Sequence, residues 1–163
     1  MSNIIQSLWI GKELSVMEQM CLSSFVKNGH EVHLYTYDNV KNIPEGVQIK
    51  DGNDILSRDM IFVYREHKSY SGFSNYFRYK LLCLKPFDFP DAYVFSSEEV
   101  PPFGENNQHI NAGVIKAPKG NPVTKKAFDI CMSKEKDKLV WGEIGPKLVK
   151  SSVETFQLQP FVK

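Results

Sequence analysis

The chain has 163 residues, with 20 Lys and Arg against 19 Asp and Glu for a formal charge of +1, and eleven Phe, seven Tyr and two Trp to fill a core. That length suits one domain around one core, and near-neutral charge without a basic block gives no support for tracking a nucleic-acid backbone. Cys21, Cys83 and Cys131 form no C-x-x-C pair, no run approaches the roughly 20 apolar residues of a membrane span, and the N-terminus lacks a charged-then-apolar leader, so the chain reads as soluble and cytoplasmic, its thiols small core residues in a reducing compartment.

Residues 3–10, NIIQSLWI, form a short apolar run before Gly11 and predict a buried first strand. Ser15 and Glu18 make an S-x-x-E capping box, so a helix starts there and stops at Asn28-Gly29. HEVHLYTY, residues 30–37, is rich in β-branched and aromatic residues and predicts a second strand. Strand, helix and strand within about 35 residues are a βαβ unit, which implies a parallel sheet. Residues 47–50 suit a short strand and Asp54 can cap a helical turn, while residues 58–70 read as loop with an apolar piece at 60–64.

Residues 71–91, SGFSNYFRYKLLCLKPFDFPD, are the most informative stretch. Phe73, Phe77 and Leu81 share one helical face, and Ser71, Ser74, Asn75 and Arg78 gather in a narrow arc on another. That arc suits either a solvated helix edge or a site presenting an amide, hydroxyls and a guanidinium to a phosphorylated or sugar ligand. From Cys83 the sequence reads as the tail of a strand entering the Lys85-Pro86 turn. Residues 92–95 then predict a strand, 98–107 a surface loop and 112–117 another strand. Asn121 caps a helix with Pro122 at its first position, turning Val123, Ala127, Phe128 and Cys131 inward, and Gly145-Pro146 opens a last helix. Alternating strands and helices make the fold class α/β.

Ligands in such sheets sit beyond the carboxyl ends of strands. Trp9 there can stack a base, with Gly11 allowing close approach to the backbone; a core Trp and a turn Gly are the alternative. Asn111 and Gly113 flank a strand start, where an Asn amide can hold sugar hydroxyls or simply suit the loop. Trp141 and Glu143 precede the last helix, and Glu143 is either a carboxylate near a site or a charge on the helix approach. His30, His33, His67 and His109 show no metal-ligand spacing, and His33 suits a hydrogen-bonded strand histidine. Residues 51–54, DGND, lack the remaining ligands of a calcium loop and read as a turn.

Taken in order, IIQSLWIG, HEVHLYTYD, FSNYFRYKLL, CLKPFDF, YVFSSEE, INAGVIKAPKGNP and WGEIGPKLV cover nearly all of the chain. They resemble bacterial glycosyltransferases of the D-x-D-containing sugar-binding type, similar to α-1,4-glycosyltransferases and capsular-polysaccharide transferases. The resemblance implies a single GT-A-like, Rossmann-like domain over residues 1–163 with a mostly parallel sheet. It implies transfer of a hexose from a nucleotide-sugar, usually a UDP-sugar, onto a glycan or lipid acceptor. Trp9 and Gly11 would meet the nucleotide base, Ser74, Asn75 and Arg78 the donor sugar and phosphates, and Asn111, Gly113, Trp141 and Glu143 a sugar or acceptor loop.

The chain departs from that pattern in one respect above all. Relatives follow the FRYKLL helix with a Gly-Gly turn, a strand and a D-x-D pair that holds Mn²⁺ or Mg²⁺ on the donor diphosphate. Here Leu82 runs directly into Cys83, and no D-x-D occurs in the sequence. Roughly a dozen residues of turn and strand are missing on ordinary lengths, and the C-terminus is short against the pattern. Asp88 and Asp91 have a different spacing. The metal's charge neutralisation, worth several kcal/mol in such reactions, has no carboxylates to hold it. The resemblance thus implies a transferase whose activity is reduced or lost; the competing readings are a non-catalytic nucleotide-sugar or glycan binding module or partner subunit, and an internally deleted product.

Overall fold

The computed structural model describes residues 4–84, 93–100, 108–118 and 120–163. The chain divides into two compact units, Met1–Met60 and Ile61–Lys163.

In the first unit, β1 (Ile4–Trp9), α1 (Val16–Lys27), β2 (Glu31–Thr36) and β3 (Val47–Asp51) form a three-stranded parallel sheet in the order β1-β2-β3. The expected βαβ unit is therefore present. The register pairs Ile4 with Glu31 and Trp9 with Thr36, so β1 and β2 end side by side. Val32 and Leu34, two apart on the central strand, pack with Leu14, Leu22 and Val40. Each such buried side chain contributes about 1.5–3 kcal/mol. The capping box forms as its spacing predicts: Ser15 Oγ accepts from the Met17 N–H at 3.3 Å, and the Ser15 N–H donates to Glu18 at 2.8 Å. His33 Nε2 bonds Glu31 at 2.7 Å, the strand histidine expected.

In the second unit, α2 (Ser71–Leu84), β4 (Val94–Glu99), β5 (Gln108–Lys116), α3 (Pro122–Ser133) and α4 (Pro146–Thr155) follow. Helix α2 packs on α3, α3 on α4, and α4 on β5. Phe73, Phe77 and Leu81 are buried as their spacing predicts. The side chain of Asn121 caps α3, accepting from the Thr124 N–H at 2.9 Å. Residues 64–69 form a small hairpin closed by the Tyr64 N–H to Ser69 carbonyl bond at 2.9 Å.

Four expectations are corrected. First, α2 does not stop at Leu82: it continues through Cys83 to Leu84 without a strand tail. Leu82, Cys83 and Leu84 carry no helix breaker, and helices end at or before the residue preceding a proline, here Pro86. The expected turn at 85–86, Asp88 and Asp91 lie outside the described residues. Second, the sheet is not mostly parallel throughout: β4 and β5 pair antiparallel, both longer than expected. The other edge of β4 is taken by the C-terminal segment, with the Ser97 N–H donating to the Lys163 carbonyl and the Lys163 N–H to that of Phe95. Third, Cys21 is exposed rather than a core residue. Fourth, Asp51 rather than Asp54 caps the turn at Gly52–Asp54, accepting from the Asn53 N–H at 2.8 Å. Pro101, Pro102 and Gly104 of the expected loop lie outside the described residues.

Candidate functional site

On α2, Ser71, Ser74, Asn75 and Arg78 fall at i, i+3, i+4 and i+7 and share a face. That face is not a solvated edge. Asn75 is only 8% exposed and Arg78 is half-buried. Arg78 Nη1 donates to Asn75 Oδ1 at 2.8 Å. Loss of water holds the Arg78 guanidinium below its ordinary pKa, while the neighbouring Tyr79 phenol favours the charged form. No carboxylate pairs with Arg78 among the described residues. Desolvating a cation is costly unless it is paired, and a single neutral amide only partly offsets that cost. Ser74 is less available: its hydroxyl donates to the Ser71 carbonyl at 2.9 Å.

The turn before α4 is built against this face. The Tyr79 hydroxyl donates to the Ile144 carbonyl at 3.0 Å. Asn75 Nδ2 lies where a side chain on Gly145 would collide, 2.9 Å from an added Cβ. A glycine at 145 therefore allows the close approach of the turn to Asn75. Sequence reasoning passed over Gly145 except as a helix opener, because its reason lies 70 residues away. Glu143 is committed within the turn: it accepts from Lys134 Nζ at 2.6 Å and from the Val140 N–H at 3.2 Å. The Lys134 bond first, and the backbone bond second, hold its carboxyl below the usual range. This favours a structural charge over a reactive carboxylate. Trp141, at the other end of the turn, is 46% exposed, with its ring against His67 at 4.3 Å and Tyr64 at 5.2 Å.

Asn111 and Gly113 do not sit at a strand start; both are inside β5. The pairing shifts register there, from Phe95 opposite Ile115 to Ser97 opposite Ile110. Asn111 Oδ1 fills the resulting bulge, accepting from the Ser96 hydroxyl at 2.5 Å and the Gly113 N–H at 2.8 Å. Its amide oxygen is thereby engaged in holding the strand's bend. The neighbouring Asn106 and Asn107 lie outside the described residues.

Trp9 and Gly11 belong to the first unit. The Trp9 indole N–H donates to the Glu13 carbonyl at 3.1 Å, and the ring packs against the buried cluster of that unit. A Cβ on Gly11 would come within 3.1 Å of Trp9 Nε1, so Gly11 makes room for the indole of its own chain. Where β1 and β2 end, Lys12, Glu13, Asp38, Asn39 and Lys41 line an open basin of about 630 Å³. Asp38 there is paired with Arg58 at 2.9 Å. Lys12 and Lys41 escaped sequence reasoning, although Lys12 directly follows the W-x-G segment.

The arc on α2 supplies a guanidinium, an amide and hydroxyls but no carboxylate. That donor set suits an anion and does not fit Mn²⁺ or Mg²⁺, which take oxygen ligands led by carboxylates. No group of three His, Cys, Asp or Glu side chains converges among the described residues. None of the helices is long and apolar enough to cross a membrane, within those same residues.

No protein-family model matches the chain, and no curated protein matches it. Among solved structures it is similar to the PaToxG glycosyltransferase, with a TM-score of 0.63 and 15% identity, over 98% of this chain and 70% of that one. The mixed α/β chain therefore has a glycosyltransferase-like fold.

Proposed function

We propose that this chain binds a nucleotide-diphosphate sugar, with Arg78 and Asn75 on its phosphates and without a divalent cation. The observation that carries this reading is the half-buried guanidinium of Arg78, whose one described partner is the buried amide of Asn75. An anionic diphosphate supplies the opposite charge that the described side chains do not, through charge-assisted hydrogen bonds. Ser74 lies beside the donor sugar on this reading. The likeness to a glycosyltransferase supports the choice of a nucleotide-sugar over other phosphorylated ligands.

Hexose transfer to a glycan or lipid hydroxyl is reduced or lost on this reading, because no D-x-D pair is present to hold a metal on the leaving diphosphate. The chain then works as a binding module or as the partner of an active transferase. Two measurements on the purified chain test this. Calorimetry with UDP is expected to give the same affinity in EDTA as in Mn²⁺. A radiolabelled UDP-hexose assay is expected to show no metal-stimulated transfer to oligosaccharide. Robust Mn²⁺-dependent transfer would refute the loss of activity.

A further inference from the structure

The Asn75 amide stands between two neighbours. Its oxygen accepts from Arg78 Nη1 at 2.8 Å, and a guanidinium has only donors, so the oxygen must face it. Its nitrogen is turned toward Gly145, where an added Cβ would lie 2.9 Å from Nδ2. The place of Gly145 thus limits how the amide is turned, and the amide orients the guanidinium. Two residues before Gly145 stands a carboxylate that anchors the same turn. We propose that Glu143 is a positioning residue of the α2 anion site, acting through the turn and the Asn75 amide without touching the ligand. This rests on the anion reading of Arg78 above, and deepens it by naming what holds that site in shape.

Three observations carry the assignment. The first is anchorage. Both carboxylate oxygens of Glu143 are engaged within the fold: Oε1 accepts from Lys134 Nζ at 2.6 Å and Oε2 from the Val140 N–H at 3.2 Å. Lys134 is the C-cap of α3, and α3 packs on α2. The carboxylate therefore ties the turn to a helix that rests on the helix carrying the site. The second is stiffness. The Glu143 N–H donates to the Val140 carbonyl at 3.1 Å, and the N–H groups of Gly145 and Lys147 both donate to the Gly142 carbonyl at 3.3 Å. Gly142 makes this reversal with a φ of +78°, which a side chain would strain. Residues 140–147 are closed by their own hydrogen bonds, so a displacement at Glu143 carries to Gly145. The third is the seat. Ile144, between the two, is 1% exposed, and its carbonyl accepts from the Tyr79 hydroxyl of α2 at 3.0 Å. The turn is thus held to α2 by Tyr79 and to α3 by Glu143.

The sign of the effect separates positioning from plain charge. A carboxylate felt only through its charge repels an anionic ligand, so its removal would tighten UDP binding. A carboxylate that only stabilises the fold would lower the unfolding midpoint on removal and leave UDP affinity unchanged. Positioning predicts weaker binding, and predicts that the loss depends on Asn75.

The test uses Glu143→Gln in the full chain, which keeps the side-chain shape and removes the charge. Calorimetry with UDP in EDTA is expected to show affinity roughly twofold to fivefold weaker than wild type, the scale of a part-exposed ion pair. In an Asn75→Ala background the same substitution should have no further effect. In the chain without ligand, the Asn75 side-chain amide resonances, identified as those missing in Asn75→Ala, are expected to shift in Glu143→Gln. Should that variant fail to fold, Lys134→Gln, at a side chain 42% exposed, removes the same bond from its other end and should give the same amide shift and the same dependence on Asn75. Unchanged or tighter UDP binding in Glu143→Gln, an equal loss in the Asn75→Ala background, or amide resonances that stay in place would each overturn the assignment. A wild-type chain that binds no UDP would instead refute the nucleotide-sugar reading, and the amide shift alone would then decide whether Glu143 positions Asn75.

Discussion

Arg78 is costly to the folded chain, and on the proposed reading a bound anion offsets that cost. A half-buried cation with one amide partner is a desolvation cost. Replacing it with a methionine of similar length removes that cost. Arg78→Met is therefore expected to keep or raise the thermal unfolding midpoint, a result a structural arginine would not give. Gly145 makes the complementary case. In Gly145→Ala the new methyl would meet Asn75 Nδ2 at 2.9 Å, displacing the amide that positions Arg78. A stability loss of about 1 kcal/mol, typical of mild overpacking, is expected in chemical denaturation, together with weaker UDP binding. Gly72→Ala should cost more, about 1–3 kcal/mol, because its Cβ would strike the rings of Phe62 and Tyr64 at 2.7 Å. That variant should spare the donor arc.

Helix α2 shows what a sequence does and does not disclose about an element. Its apolar face and polar arc were legible from spacing alone, and the buried Phe73, Phe77 and Leu81 agree with it. Its end was not legible, because a short apolar run from Cys83 into Lys85-Pro86 suits a strand tail as well as a helix, and without a breaker before Pro86 the helix continues to Leu84. Cys83→Pro tests the continuation: a proline one residue before the end of a helix removes a donor and clashes with the preceding turn. The penalty is expected to approach the ~3 kcal/mol of an interior proline, measured by urea unfolding; a strand start or turn there would tolerate it. The role of Asn111 was hidden for a similar reason, since the bulge it fills depends on its partner Ser96 on β4.

The turn 141–145 carries a pH dependence of definite sign. The Glu143 carboxyl is depressed below 4.5 by Lys134 and the Val140 N–H. Its contribution is therefore present above the ordinary carboxylate range and lost as pH falls through the lowered value. The pair is partly exposed, so solvent screening keeps the effect below about 1 kcal/mol. Trp141 fluorescence is expected to change with a midpoint below pH 4.5, and Glu143→Gln should abolish that transition.

For the molecule entire, the parallel βαβ start was legible because β-branched runs, a capping box and a Gly stop all agree within 35 residues. The antiparallel β4–β5 pair was not, since short apolar runs give no direction and its second edge is closed by residues at the far end of the chain. The depth of Asn75 was equally invisible, being set by a turn 70 residues on. A glycosyltransferase-like fold thus emerges from long-range pairings, whereas the proposed anion site lies on a helix face readable by eye. On the proposed reading, an anion rather than a metal completes that face. Calorimetric titration of UDP in EDTA into the wild-type chain and Arg78→Ala tests it most directly. Hydrogen bonds to a charged group are worth about 1.5–3 kcal/mol, so saturable binding should weaken by roughly tenfold or more in the variant. Equal affinities in the two proteins, or wild-type binding seen only when Mn²⁺ replaces EDTA, would contradict the account.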